Sequence, residues 1–195
     1  HMRFLQIGST KHYLGCGGGI SLGDANDLTM RSTDDILFAT GNTSTLKMAI
    51  DQDGAVTIPS QPSFSAKNST NADFTWTNMT RFPFNTELFD RGYDYDNSNY
   101  IFTAPVDGIY QINFFTITRN NTTNFQPGIR KNGSTIYRSL SSFSHQTGTS
   151  NYHNISWSVL FPLSANDYID VMNVSGFNMT VHGAEYSGFS ARLEI

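Results

Sequence analysis

Cysteine is nearly missing from this 195-residue chain: Cys16 stands alone, which excludes an intrachain disulfide and any cysteine-based zinc site. Charge is sparse as well. Only 14% of residues are charged, the net charge is −4 and no basic run occurs, so the footprint of a nucleic-acid binder is lacking. No apolar run approaches membrane-spanning length and no signal peptide is visible, so membrane insertion is not expected. What is abundant is aromatic: 13% of the chain, with 15 Phe and 9 Tyr, on a background of Asn, Ser, Thr and Gly. Aromatics favour pleated, half-buried surfaces, so the composition predicts a β-rich protein with a polar, weakly charged exterior. The length suffices for one large or two small domains with a real core.

Residues 1–59 read as short strands between turns. His1-Met2 reads as a cloning remnant, and we expect the natural chain to extend further upstream. Candidate strands are Arg3–Ile7, Leu28–Arg31, Asp35–Thr40, Thr45–Ile50 and Ala55–Ile58. Gly15 to Gly19 form a break that no strand or helix holds without cost, and Gly41-Asn42 and Asp51–Gly54 mark turns. The segment is poor in apolar residues for an independent core. Either it is a floppy extension, or several copies intertwine and supply what each lacks. The run Ile36–Ile58, with its Thr-Gly turn, Met48-Ala49-Ile50 strand and Asp51-x-x-Gly54-x-Val56-x-Ile58, resembles a module of phage tail-fibre and appendage proteins. Ala55 departs from it, where Asn is more usual. The resemblance implies part of a trimeric β shaft.

Ile58-Pro59-Ser60-Gln61-Pro62 is an extended junction. Residues 60–195 show no helical periodicity, and strand candidates recur every ten or so residues, the rhythm of a β-sandwich. They are Ser63–Ala66, Arg81–Asn85, Glu87–Phe89, Tyr100–Thr103, Ile109–Thr118, Phe125–Arg130, Thr135–Ser142, Asn154–Phe161, Tyr168–Val174 and Gly188–Ile195. Asn132-Gly133 is a strong hairpin signal. The segment Phe102-Thr103-Ala104-Pro105-Val106-Asp107-Gly108-Ile109-Tyr110 combines a strand end, a corner and the most strand-like run in the chain. It resembles the Phe-x-x-Pro-x-x-Gly-x-Tyr signature of the C1q/TNF-like family. Further matches follow in order: Phe64-Ser65-Ala66, Phe84-Asn85, Tyr95-Asp96, Asn132-Gly133, Leu163-x-x-x-Asp167-x-Ile169-x-Val171 and Tyr186-Ser187-Gly188-Phe189. Asn166 replaces the usual Gly and tolerates positive φ; Tyr186 replaces a Phe. The resemblance implies an all-β antiparallel jelly-roll sandwich that assembles as a homotrimer. It makes Phe102, Pro105, Gly108, Tyr110, Gly188 and Phe189 family core residues.

Strand alternation then separates two ends. In an antiparallel order, successive connections fall at opposite ends. Taking the end after Thr118 as far, the connections Arg119–Asn124, Phe143–Ser150 and Ser175–Ser187 are far, and those at Asn132-Gly133 and Leu163–Asp167 are near. The far loops are long and carry Arg119, Asn120, Asn121, Phe143, His145, Phe177, Asn178, Met179, His182 and Tyr186. Long loops on a rigid scaffold are where binding concentrates, and exposed aromatics anchor sugars or protein surfaces. The competing reading makes Phe143, Phe177 and Met179 plugs of the sandwich top.

No Gly-x-Ser-x-Gly or other nucleophile setting occurs, so catalysis is not expected. Asp90, Asp94 and Asp96, with Asn97 and Asn99, offer oxygen ligands to calcium but match no fixed loop; a solvated turn is the plainer reading. No other cofactor is expected. Sequons such as Asn68-Ser69-Thr70, Asn154-Ile155-Ser156 and Asn173-Val174-Ser175 follow from an Asn/Ser/Thr-rich composition. Together these features predict a homotrimeric bacteriophage fibre or appendage in the virion. Its partners are other virion proteins and a host cell-surface glycan or protein, bound multivalently. The alternatives are a non-binding trimerisation clamp or capsid decoration protein, and a secreted C1q-like recognition protein, which the lack of a Gly-x-y tract disfavours.

Overall fold

The computed structural model describes residues 2–6, 9–16, 18, 24–41, 45–119, 125–138 and 152–194. The chain divides into two compact units, His1–Ser60 and Gln61–Ile195. Every described strand pairing is antiparallel.

The first unit holds two three-stranded sheets. One joins β1 (Met2–Gln6), β2 (Ser9–Cys16) and β3 (Leu28–Ser32); the other joins β4 (Ile36–Thr40), β5 (Thr45–Ile50) and β6 (Val56–Thr57). Strand β2 was not expected. Its Gly15-Cys16 lie in the strand, paired with Leu28 and Thr29, rather than in a break. Gly17, Gly19 and Asn42 fall outside the described residues. The Asp51 turn explains the Asp-x-x-Gly pattern. The Asp51 carboxylate accepts hydrogen bonds from the Asp53 and Ala55 amides, and Gly54 takes φ +89°. Register places Ile36 opposite Ile50, Phe38 opposite Met48 and Ile50 opposite Val56. One face of this sheet is therefore apolar and uncharged, with Leu46 added by alternation.

The second unit has two five-stranded sheets. The first runs β14 (Tyr152–Leu163), β11 (Gly108–Arg119), β16 (Met179–Leu193), β7 (Ser63–Trp76) and β8 (Thr86–Arg91). The second runs β13 (Ser134–Arg138), β12 (Pro127–Lys131), β15 (Tyr168–Asn173), β10 (Ile101–Thr103) and β9 (Tyr95–Asp96). Three expected boundaries change. β7 extends to Trp76, well past Ala66. Arg81 makes only an isolated bridge to Met172, and the segment after it is not a strand, although Phe82 and Phe84 are fully buried. Most of the far loop expected at Ser175–Ser187 belongs to β16, leaving a short connection from Val174 to Asn178. The reason is pairing: Met179 to His182 lie against Trp76 to Asp73 of the longer β7.

The core is a single aromatic-rich cluster that holds Phe102, Tyr110 and Phe189 of the expected core residues, whereas Pro105 is exposed and Gly108 half-buried, because both sit at the corner where the chain turns at the surface. Phe64 stacks on Tyr95 (4.4 Å) and Phe102 (4.9 Å) and meets Phe189 edge-on (5.0 Å). Phe82 stacks on Phe84 (4.4 Å) and meets Trp76 edge-on (4.9 Å). The Tyr95 hydroxyl donates to the Phe84 carbonyl, which satisfies its one polar atom and holds the segment after Arg81 in place. Burial pushes the Tyr95 hydroxyl far above its ordinary pKa. The Tyr110 hydroxyl donates to the Val106 carbonyl and so closes the Pro105–Gly108 corner. A Cβ at Gly188 would collide with the Phe115 ring, so the glycine lets that ring lie flat on β16. Asn132 and Gly133 both take positive φ, +50° and +80°, as a primed hairpin turn requires. Asn166 takes φ +72°.

Candidate functional site

The strand register gathers a cluster at the far end of the first sheet. β11 pairs with β14 to its last residue, which sets Arg119 opposite Tyr152. On its other side, β16 sets His182 opposite Ile117, and β7 sets Asp73 opposite His182. The intervening residues Thr116, Thr118 and Val181 are buried, so alternation sends Ile117, Arg119, His182, Asp73 and Tyr152 to the outer face.

Asp73 organises the group. Its Oδ2 receives the Arg119 guanidinium at 2.5 Å, and its Oδ1 faces His182 Nδ1 at 2.7 Å. The Arg119 hydrogen bond holds the Asp73 carboxyl below its ordinary pKa, against partial burial, and the His182 contact adds to the effect. An ionised Asp73 only accepts, so His182 presents a protonated Nδ1 to it. Arg119 also lies 5.4 Å from the Tyr152 ring centroid, and the Tyr186 ring meets His182 edge-on at 4.9 Å. A hollow of about 320 Å³ is lined, among the described residues, by Ile117, Tyr152, His182 and Tyr186.

Two irregularities shape this end. The β16–β7 register breaks between His182 and Ala184, and again between Ala184 and Phe189. Ala184 takes φ +50°, an uncommon and mildly strained conformation for a residue with a Cβ. Such bulges re-aim side chains, and here Tyr186 stands on the displaced segment. A Cβ at Gly183 would collide with the Thr70 carbonyl oxygen and Asn68 Oδ1, so only glycine permits this close approach. Asn68 is itself buried and its amide donates to the Pro83 carbonyl, which removes it as a glycan acceptor. Asn173 is buried likewise, donating to the Trp76 and Phe177 carbonyls.

The structure thus brings together Arg119, His182 and Tyr186. Asn120, Asn121, Phe143 and His145 lie outside the described residues. Phe177 packs against the core, and Asn178 Oδ1 accepts from the Asn78 amide, so both help to fasten the Val174–Asn178 connection. Met179 is buried. Sequence reasoning missed Asp73 and Tyr152. The alternation Asp73-Phe74-Thr75-Trp76 was a strand signal that would have placed Asp73 outward. Tyr152 becomes visible only through its pairing with Arg119.

Of the three candidate calcium ligands, Asp96 and one oxygen of Asp90 accept hydrogen bonds near the β9 turn, while Asp90 Oδ1 is buried without a partner. Asp96 caps it, accepting from the Ser98 amide and hydroxyl and from Asn99, which holds its carboxyl far below the usual range. Asp90 accepts from the Tyr95 amide. Partial burial, with Asp90 nearby, raises the Asp94 carboxyl. Among the described residues, no group of three His, Cys, Asp or Glu is placed to hold a metal ion.

Nearer the middle of the same face runs a second, shallower groove of about 410 Å³. Its lining includes Ser63, Phe89, Arg91, Gln111, Asn113 and Arg192. Leu160, Phe89 and Phe115 are exposed on this face at 61%, 51% and 39%.

A C1q domain family model matches residues 63–191. No curated protein matches the chain. Among solved structures, it is similar to the globular domain of zebrafish complement 1qA at 18% identity and TM-score 0.52, over 69% of this chain and 98% of that one. Eiger TNF from S. frugiperda matches at 9% identity and TM-score 0.54, over 69% and 94%. Murine APRIL at pH 5.0 matches at 13% identity and TM-score 0.51, over 69% and 99%. At these identities the likeness is one of fold: an all-β C1q/TNF jelly roll.

Proposed function

Because the chain belongs to the C1q family, whose fold serves binding and assembly, we propose that it is a homotrimeric bacteriophage fibre or appendage protein with a host-binding head. The observation that carries the binding role is the far-end hollow, where side chains from β7, β11, β14 and β16 converge on Tyr152 and Tyr186. Two supports carry the trimer. The outer face of the first sheet exposes Leu160, Phe89 and Phe115, and the β4–β6 sheet has an uncharged apolar face. Each is suited to burial against further copies. The phage assignment rests on the Ile36–Ile58 module, whose Asp51 turn adopts the hydrogen bonding that its pattern demands. Three hollows held in fixed geometry would bind a repetitive surface by avidity.

Light scattering at micromolar concentration tests the trimer; a monomer sinks the reading. Binding of the full chain to host cells, and its loss on Tyr186→Ala, tests the head. The clamp or capsid-decoration reading draws on the fastened Val174–Asn178 connection, whose side chains are spent on the fold itself. A trimer that binds no host cell would favour it. A secreted recognition protein would instead carry glycan on an exposed sequon such as Asn154.

A further inference from the structure

We infer that the far tip of the second unit seats the Met79 side chain in an apolar depression on a host surface protein. The inference rests on the host-binding reading above and names the class of partner. The contact lies at the end of the sandwich, where two turns cross from one sheet to the other, and not on the sheet face that further copies would cover. Trp76 ends β7 opposite Met179 of the first sheet, and the Met79 amide already donates to the carbonyl of Asn173, the last residue of β15 in the second.

Three observations support it. The first is rigidity. The turns at Thr77–Thr80 and Val174–Asn178 hold each other: the Asn78 amide donates to Asn178 Oδ1, and the Gly176 amide donates to Asn78 Oδ1. The Trp76 indole donates to the Thr80 carbonyl, and the Thr80 hydroxyl to the Thr77 carbonyl. A contact made on such a platform costs little ordering entropy. The second is Met79 itself. It takes φ +58°, the left-handed region that a residue with a Cβ rarely adopts, and it is 62% exposed. Glycine would hold the turn without strain, and a polar residue would suit the water. Met79 costs stability on both counts, and such residues concentrate where a surface binds. Tyr93 shares both features, at φ +62° and 94% exposed, but it follows Arg91, which pairs with Ser63 at the end where the chain enters. The third is charge. Neither turn holds a charged residue. What the tip offers is a flexible, polarisable thioether chain, which fills irregular apolar gaps.

A saccharide fits this tip less well. Sugars are gripped by stacking on aromatic faces, and Phe177, the one aromatic residue of the two turns, packs against the core.

The test measures binding of the full chain to intact host cells, to cells shaved with protease and to cells oxidised with periodate. The chain should bind the intact and periodate-treated cells and lose the shaved ones. Met79→Gly should weaken binding to intact cells about tenfold or more, while Met79→Leu stays within about threefold. Met79→Gly relieves the backbone, so its thermal midpoint should equal or exceed the parent's while its binding falls. Peroxide footprinting reads the parent chain directly. Met79 should form sulfoxide in the free chain and be protected on cells, while the buried Met172 and Met179 stay intact in both. Unchanged binding in Met79→Gly, or equal oxidation of Met79 free and bound, overturns the inference and leaves the host-binding reading intact. Binding lost on periodate-treated rather than shaved cells overturns the partner class. A parent chain that binds no intact cell overturns the host-binding reading, and this inference with it.

Discussion

Phe64 and Phe38 are both strand phenylalanines, and they meet opposite fates. Phe64 is 1% exposed, locked between Tyr95, Phe102 and Phe189. Phe38 is 40% exposed on a sheet face that also holds Ile36, Met48, Ile50 and Val56. The second unit buries a contiguous aromatic cluster within one chain. In the first, the only described residues below about a tenth exposed are Ala49 and Thr29. A 135-residue jelly roll can close on itself, whereas a sheet of three short strands such as β4–β6 cannot by itself supply two layers. The contrast agrees with a second unit that closes by its own packing and a first unit whose apolar face is left for the association proposed above.

The sharpest way to test the contrast is to damage the head alone. Phe64→Ala removes a ring with three aromatic neighbours and should cost about 4 kcal/mol, read from the denaturant midpoint of the head transition. Next comes Asp170, fully buried, which receives Arg81 Nε at 2.8 Å and both Arg130 Nε and Nη2 at 2.6 Å. Asp170→Ala leaves two guanidinium groups facing a buried void and should cost about 3 kcal/mol. Gly183→Ala must push β16 away from Thr70 and Asn68, for about 2 kcal/mol, and should weaken binding at the hollow as well. Unchanged stability in that variant would mean that β7 and β16 are not held so closely.

The converse change breaks the comparison from the other side. Phe38→Ser should leave the head midpoint within about 0.5 kcal/mol and abolish stable trimers of the first unit, read by light scattering or by proteolysis of residues 1–59. A large fall in the head midpoint would show that the two units are not independent in folding. The smallest effect concerns acid. Asp73, Asp96 and Asp167 all have carboxyls held below the ordinary 3.8, Asp167 at about 2 through Lys131, the Ser164 amide and Asn132. A depressed folded-state pKa gives stability that is present above pH 3.8 and lost as pH falls through the folded value. The head midpoint should therefore hold from pH 7 to about 4 and decline toward pH 2. Asp167→Asn should flatten part of that decline.

Local chemistry made much of the head legible. Asn132-Gly133 and Asn166 take the positive φ expected of them, and the strand-like run expected after Gly108 is β11, with Tyr110, Ile112 and Phe114 buried on one face. The site was legible in parts. Arg119 and His182 were singled out by their place after strands, and both belong to the cluster. Asp73 was missed because Ser69 to Ala72, a polar exposed stretch opposite the β16 irregularity, looks like the end of a strand rather than a bulge within one. The fate of Asn178 depends on Asn78, 100 residues away, and that of Phe177 on packing against the core. Short-range patterns carry no such information.

At the near end, the Gln61 amide donates to the Leu193 carbonyl, and the Leu193 amide donates to the Pro62 carbonyl. The second unit therefore enters and leaves at the same point. Geometry of this kind makes a cassette. The unit can be exchanged for another of its kind without a linker spanning its body, because both ends sit opposite the hollow. In the fibre proposed above, exchange at the Pro59–Pro62 junction would replace the second unit and leave the first intact.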